Sequence, residues 1–213
     1  MELAKLRHIV VEGPIGVGKT TLARRLSEKL GADLLLEAPE QNPFLDKFYH
    51  DPARYALQTQ LFFLFQRIEQ LRTLAQAELF SKPVISDFLL EKDPLFAQLT
   101  LSDDELGLYQ KIYDQLSPQA AIPDLVIFLL ANPDSLVERV ARRGIASEAA
   151  ISEDYLRALC SSYTHFIHHY NSAPQLVINT EHLNPIDSED DFILLLQRIE
   201  AMRGKREFFN RAD

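Results

Sequence analysis

The sequence predicts an α/β fold of three layers, a five-stranded parallel sheet flanked by helices on both faces, in one domain spanning residues 1–213. Three observations predict it. Five short apolar, β-rich runs recur along the chain ("HIVVEG", "DLLLEA", "PVISDF", "DLVIFLL" and "QLVINT"); helical patterns separate them; and the first leads directly into "GPIGVGKTT". Parallel neighbours need crossover connections, and helical crossovers cover both faces of the sheet. Ligands of such sheets sit beyond the carboxyl ends of the strands, which directs attention to Gly13–Thr21, Glu37, Asp87 and the segment after Leu130.

Composition sets the outer limits. The 213 residues suffice for one ordinary core, and a chain 46% hydrophobic and 25% charged without an apolar run of about 18 residues does not cross a membrane. A net charge of −9 disfavours long contact with polymeric nucleic acid, so the expected partner is a small molecule. The apolar stretch in "MELAKLRHIVVEG" is too short for a signal peptide, and the single Cys160 cannot form an internal disulfide; a cytoplasmic location is expected.

The first run opens the most specific signal. Gly13, Gly18, Lys19 and Thr20 fit G-x-x-x-x-G-K-[ST] between a strand and an amphipathic helix, the arrangement of the P-loop NTPase fold. Gly13, Gly16 and Gly18 permit a tight backbone around phosphate, Lys19 reaches the β- and γ-phosphates, Thr20 can hold Mg²⁺, and the helix N-terminus through Thr21 adds its dipole. ATP or a relative is the expected ligand. Glu37 ends the second run, where a strand-end acid is either solvated or chemical.

The helical segment from Ala53 to about Phe80 contains "LQTQLFFLFQRIEQL", apolar nearly all round and therefore buried on several sides. Gln60, Phe63, Leu64 and Arg67 share one face at i, i+3, i+4 and i+7. An amide, a ring and a guanidinium there can hold a heterocyclic base, or Gln60 and Arg67 can simply satisfy buried neighbours. Asp87 closes the third run. After the fourth, "ERVARRG" aligns Arg139 with Arg143 and sets Arg142 beside them, either as a clamp on phosphate or as basic residues at a helix C-terminus before Gly144. His165 and His169 in "HFIHHY" lack an evident third ligand and read as a solvated helix face; Cys160 reads as packed; the tail "MRGKREFFNRAD" is expected to fray or to cover a neighbour.

Taken in order, "GPIGVGKTT", "LLLEAPEQNPFLDKFYHDP", "LQTQLFFLFQRIEQL", "ISDFLLEKDPLFA" and "ERVARRGIASEAAISEDYL" resemble the deoxynucleoside kinases, especially bacterial deoxyguanosine and deoxyadenosine kinases, from about residue 8 to residue 170. The resemblance implies transfer of the γ-phosphoryl of ATP, with Mg²⁺, to the 5′-hydroxyl of a deoxyribonucleoside. It makes Glu37 the general base and puts Tyr49 and Glu148 on the sugar 3′-hydroxyl. Gln60, Phe63 and Arg67 become base-binding, and Arg139 and Arg143 become the arginines of a lid around residues 139–152. Mg²⁺ would be held by Thr20, with Glu37 or Asp87 through water, and a homodimer built on long helices is expected.

Two departures stand out. Many relatives carry Asp-Arg-Ser or Glu-Arg-Ser after the third strand, but Ser86-Asp87-Phe88 has no arginine; and Lys92 stands where some relatives place a base-contacting aspartate, with Asp93 beside it. Ile145 also replaces a common lid arginine. The bulk of Phe63 tilts the expected substrate toward a purine. The competing functions are a nucleoside monophosphate kinase, which needs arginines for the acceptor's phosphate, and a non-catalytic P-loop regulator.

Overall fold

The computed structural model describes residues 1–77, 82–117, 121–145 and 151–210. Its centre is one parallel sheet formed by β1 (His8–Glu12), β2 (Asp33–Leu35), β3 (Val84–Ser86), β4 (Leu125–Leu130), β5 (Gln175–Asn179) and β6 (Arg206–Phe209) in the order β2-β3-β1-β4-β5-β6. The sheet thus has six strands where the sequence predicts five.

The additional strand comes from the tail, expected either to fray or to cover a neighbour, which pairs with the edge of β5. Four residues rich in charge carry little strand signal alone, but the open edge of β5 supplies their partners: Gln175 N–H donates to Lys205 O at 2.8 Å, and Val177 pairs in register with Phe208. Phe209 packs against the core while Phe208 stays exposed, and Arg206 donates to Tyr170 O at 2.6 Å. Edge pairing offsets the low intrinsic preference of this segment.

Helices cover both faces because the central strands are apolar on both. Ile9, Val11, Ile127 and Ile178 face Leu22 and Leu26 of α1 (Lys19–Leu30) and, beyond β5, Phe192 and Leu195 of α8 (Glu189–Ala201). Val10, Val126, Phe128 and Val177 face the other way, onto Ile167 and Tyr170. Ile167 belongs to α7 (Glu153–His169), and Tyr170 caps that helix.

A third cluster lies beyond the sheet. Leu64, Ile68 and Leu71 of α3 (Pro52–Ala77) pack with Phe88, Leu90 and Tyr109, bringing together α3, α4 (Asp93–Thr100) and α5 (Asp103–Leu116). This is the apolar girth expected of the Ala53–Phe80 segment; its last residues, 78–80, lie outside the described residues. The short α2 (Leu45–His50) leads into α3, and α6 (Pro133–Arg143) follows β4, with Asn132 accepting from Asp134 N–H at its start and Gly144 at φ +65° at its end.

Candidate active site

The loop between β1 and α1 lies at the carboxyl end of the central strand. Its first glycine is dictated by close approach: a Cβ on Gly13 would lie 2.4 Å from the backbone oxygen of Leu129. Gly16 has φ +84°, and a Cβ there would come within 2.8 Å of Val140. Inside the loop the Lys19 ammonium donates to Gly13 O at 2.8 Å and Pro14 O at 3.2 Å. Burial, reinforced by the nearby Lys92 charge, pulls the Lys19 pKa below its usual value against the opposing pull of Glu12, Glu37 and Asp87.

Asp87, just past β3, ties the loop to the second half of the site. Its Oδ2 accepts from the Thr20 hydroxyl at 2.5 Å, and its Oδ1 from the Glu37 backbone N–H at 2.8 Å. Glu37 in turn accepts from Arg67, at 2.8 Å from Nε and 2.5 Å from Nη2, both on Oε1. Burial alone would raise the Glu37 carboxyl, but Arg67, then Lys92 and Lys19, outweigh it and hold the pKa at about 2. Glu37 is therefore an ionised acceptor at any ordinary pH.

A cavity of about 550 Å³ joins these groups. Gly16, Lys19, Thr20, Glu37 and Asp87 line its phosphate-loop end; Tyr49, Gln60, Phe63 and Arg67 line the rest, and Arg143 reaches it from the end of α6. Phe48, Tyr155 and Tyr163 add an aromatic wall, with Phe48 against Tyr49 at 5.4 Å and against Tyr155 at 6.4 Å between ring centroids. Gly13 is buried beneath the loop, Gly18 caps α1, and Thr21 is exposed in the first turn of that helix.

Arg139 is not among the residues lining the cavity; its guanidinium donates to the Thr180 hydroxyl at 3.1 Å, beyond β5. Glu148 lies outside the described residues. His165 and His169 lie on the exposed face of α7, and Cys160 is buried in the core.

The two readings of the helix stripe are not exclusive. Gln60 and Arg67 both line the cavity and both satisfy buried neighbours: Gln60 Nε2 donates to Asp93 O at 3.1 Å, and Arg67 forms ion pairs with Glu37 and Asp93 while lying 5.0 Å over the Phe63 ring. Asp93 is fully buried and also accepts from the Tyr109 hydroxyl at 2.8 Å. Its neighbour Lys92, set by sequence position opposite the base, points instead toward the loop, 3.4 Å from Glu12 and 3.5 Å from Glu37.

Glu12 is a site residue that the sequence reading did not single out. Completely buried at the end of β1, it accepts from Gly13 N–H at 2.7 Å, Leu89 N–H at 2.8 Å and the Tyr163 hydroxyl at 2.9 Å. An acid closing an otherwise apolar central strand was the available signal, as were adjacent opposite charges inside the apolar "FLLEKDPLFA".

The groups present fit a nucleoside triphosphate and Mg²⁺. A half-buried ammonium sits within the phosphate loop, and the Thr20 hydroxyl beside the Asp87 carboxylate is a hard-oxygen pair suited to Mg²⁺. Among the described residues no group of three or more His, Cys, Asp or Glu could hold a metal without a substrate's oxygens.

The chain is similar to known proteins in sequence and in fold. The family model for deoxynucleoside kinase matches residues 9–202. The chain is 38% identical over 189 residues to deoxyguanosine kinase of Bacillus subtilis (strain 168), covering 87% of this chain and 89% of that one. It is 30% identical over 202 residues to deoxyadenosine kinase of Dictyostelium discoideum, covering 92% and 80%. Among solved structures, deoxyadenosine kinase from M. mycoides with bound dATP superposes with a TM-score of 0.79 at 25% identity, over 91% of this chain and 99% of that one.

Proposed function

Because the chain belongs to the deoxynucleoside kinase family and phosphorylates a deoxynucleoside to its monophosphate, we propose that its acceptor is the 5′-hydroxyl of a purine deoxynucleoside, deoxyguanosine first, and its donor ATP. The observation that carries the chemistry is the junction at Glu37: an ionised carboxylate whose own backbone is bonded to the acid that also holds Thr20 of the phosphate loop. A base so placed serves both halves of the reaction. Glu37 takes the proton of the attacking hydroxyl as the new O–P bond forms, and the electrons of the breaking P–O bond leave with ADP. Lys19 offsets charge on the donor phosphates. Mg²⁺, when bound, neutralises further phosphate charge, with Thr20 and Asp87 as its holders.

The remaining roles follow from position in the cavity. Gln60 and the face of Phe63 receive the base; Arg67 orients Glu37; Tyr49 receives the sugar; Arg143 enters from the end of α6, in the expected lid segment 139–152, of which residues 146–150 lie outside the described residues. Arg139, engaged with Thr180, joins the clamp only if the lid moves. The deoxyguanosine preference is supported by the relative named for that substrate at 38% identity. A homodimer is supported by Phe65 and Leu108, exposed large apolar side chains on the packed pair α3 and α5. No helix among the described residues is long and apolar enough to cross a membrane, and with the single Cys160 a cytoplasmic setting fits.

The test is ADP release from ATP and Mg²⁺ with each of the four deoxynucleosides, their monophosphates, or no acceptor. Turnover with deoxyguanosine above the other nucleosides is expected. Turnover with monophosphates alone would move Glu37 out of the base role, and acceptor-independent hydrolysis would favour a regulator.

A further inference from the structure

Lys92 is 2% exposed, an unusual state for an ammonium, and a buried cation persists only where carboxylates meet it. It ends the 3₁₀ turn Leu90–Lys92 after β3. Its ion-pair partners are Glu12 Oε2 at 3.4 Å and Glu37 Oε1 at 3.5 Å, which belong to different parts of the site. Glu12 cannot move independently of the phosphate loop, since its oxygens hold Gly13 N–H, Leu89 N–H and the Tyr163 hydroxyl. Glu37 stands across the cavity on the acceptor side.

The next residue feeds the same chain of charges from the opposite end. Asp93 pairs with Arg67, Arg67 with Glu37, Glu37 with Lys92, and Lys92 with Glu12, so five alternating charges run from α4 to the start of the loop. The three named cationic contacts to Glu37, from Arg67 Nε, Arg67 Nη2 and Lys92 Nζ, all fall on Oε1. Oε2 carries none of these three contacts.

We propose that Lys92 is a positioning residue for phosphoryl transfer: by bridging Glu12 and Glu37 it sets the proton-accepting carboxylate at a fixed place relative to the phosphate loop, with Oε2 toward the acceptor hydroxyl. The role rests on Glu37 being the base. In the step it serves, the acceptor oxygen bonds to phosphorus, the bond from phosphorus to the ADP oxygen breaks, and the hydroxyl proton passes to Glu37. A lysine acting on the base heterocycle would alter nucleoside affinity, whereas a lysine that places Glu37 alters the chemical step.

The experiment has two arms that fail separately. In the first, the melting temperatures of wild type, Lys92→Met, Glu37→Gln and the double variant form a cycle, and the double variant is expected to lose at least about 3 °C less than the sum of the single losses. Additive losses would overturn the bridge whether or not the protein turns over any nucleoside. In the second, with deoxyguanosine-dependent ADP release first measured for wild type, Lys92→Met is expected to lower kcat by about 100-fold or more with the nucleoside KM changed less than about threefold. Lys92→Arg, which keeps the charge, is expected to recover kcat to within about tenfold of wild type. Unchanged kcat, a loss residing mainly in KM, or Lys92→Arg no better than Lys92→Met would each overturn the proposal. A silent wild type would defeat the kinase reading alone and leave the melting cycle to decide the bridge. Should Lys92→Met fail to fold, Glu12→Gln/Lys92→Met removes both buried charges together and takes its place in both arms.

Discussion

Replacing Asp93 by Asn perturbs the far end of the charge chain without changing its shape. Asp93 is 0% exposed and Arg67 4%, so their ion pair is screened by almost no water. Removing one partner of such a pair costs about 3–5 kcal/mol, because the other charge remains buried. Here Glu37 still holds two of the guanidinium nitrogens, which places the cost near the lower bound, about 3 kcal/mol. For a chain of this size that is a fall in Tm of about 6–12 °C. Tyr109→Phe is the matched control: it removes only the 2.8 Å hydroxyl bond to the same carboxylate. A bond to a charged acceptor is worth about 1.5–3 kcal/mol, and with Arg67 still neutralising the carboxylate the loss falls at the lower end, about 3–6 °C. Thermal unfolding followed by circular dichroism measures both. A loss for Asp93→Asn no larger than that for Tyr109→Phe would refute the view that the acid is there to neutralise Arg67.

Three further outcomes follow from the site. The folded Glu37 pKa of about 2 lies below its ordinary 4.5, so its stabilising contribution is full above pH 4.5 and is lost as pH falls toward 2; Glu37→Gln should flatten stability across that window in acid titrations at constant temperature. On the role proposed for Gln60 at the base, Gln60→Ala should raise the deoxynucleoside KM about tenfold or more while leaving the ATP KM within about twofold, read from steady-state kinetics with each substrate varied. Gly13→Ala drives a methyl against the backbone oxygen of Leu129 and should cost at least about 1–3 kcal/mol by thermal denaturation, together with loss of ATP binding in a calorimetric titration.

The legible and illegible parts of this molecule divide by the distance over which their physics acts. The phosphate loop is legible because its constraint is local: Gly13 must be glycine for a contact only a few ångströms away, and Lys19 follows at a fixed interval on α1. The three central positions of β1 and most of β4 are legible because strands buried on both faces are continuously apolar. β6 was not, because what makes Arg206–Phe209 a strand is the unpaired edge of β5, some thirty residues away in the chain and invisible in the segment's own composition. Lys92 and Asp93 fail for a related reason. A peptide bond joins them, yet one side chain faces Glu12 and the other Arg67 on the helix of Gln60, a division that sequence adjacency does not reveal. Where the Ser86-Asp87-Phe88 run lacks an arginine, positive charge reaches Glu37 from Arg67 and Lys92 instead, on two different elements. What the ionised Glu37 requires is thus a positive charge at a place in space, and a charge can arrive there from any segment that the fold brings close enough.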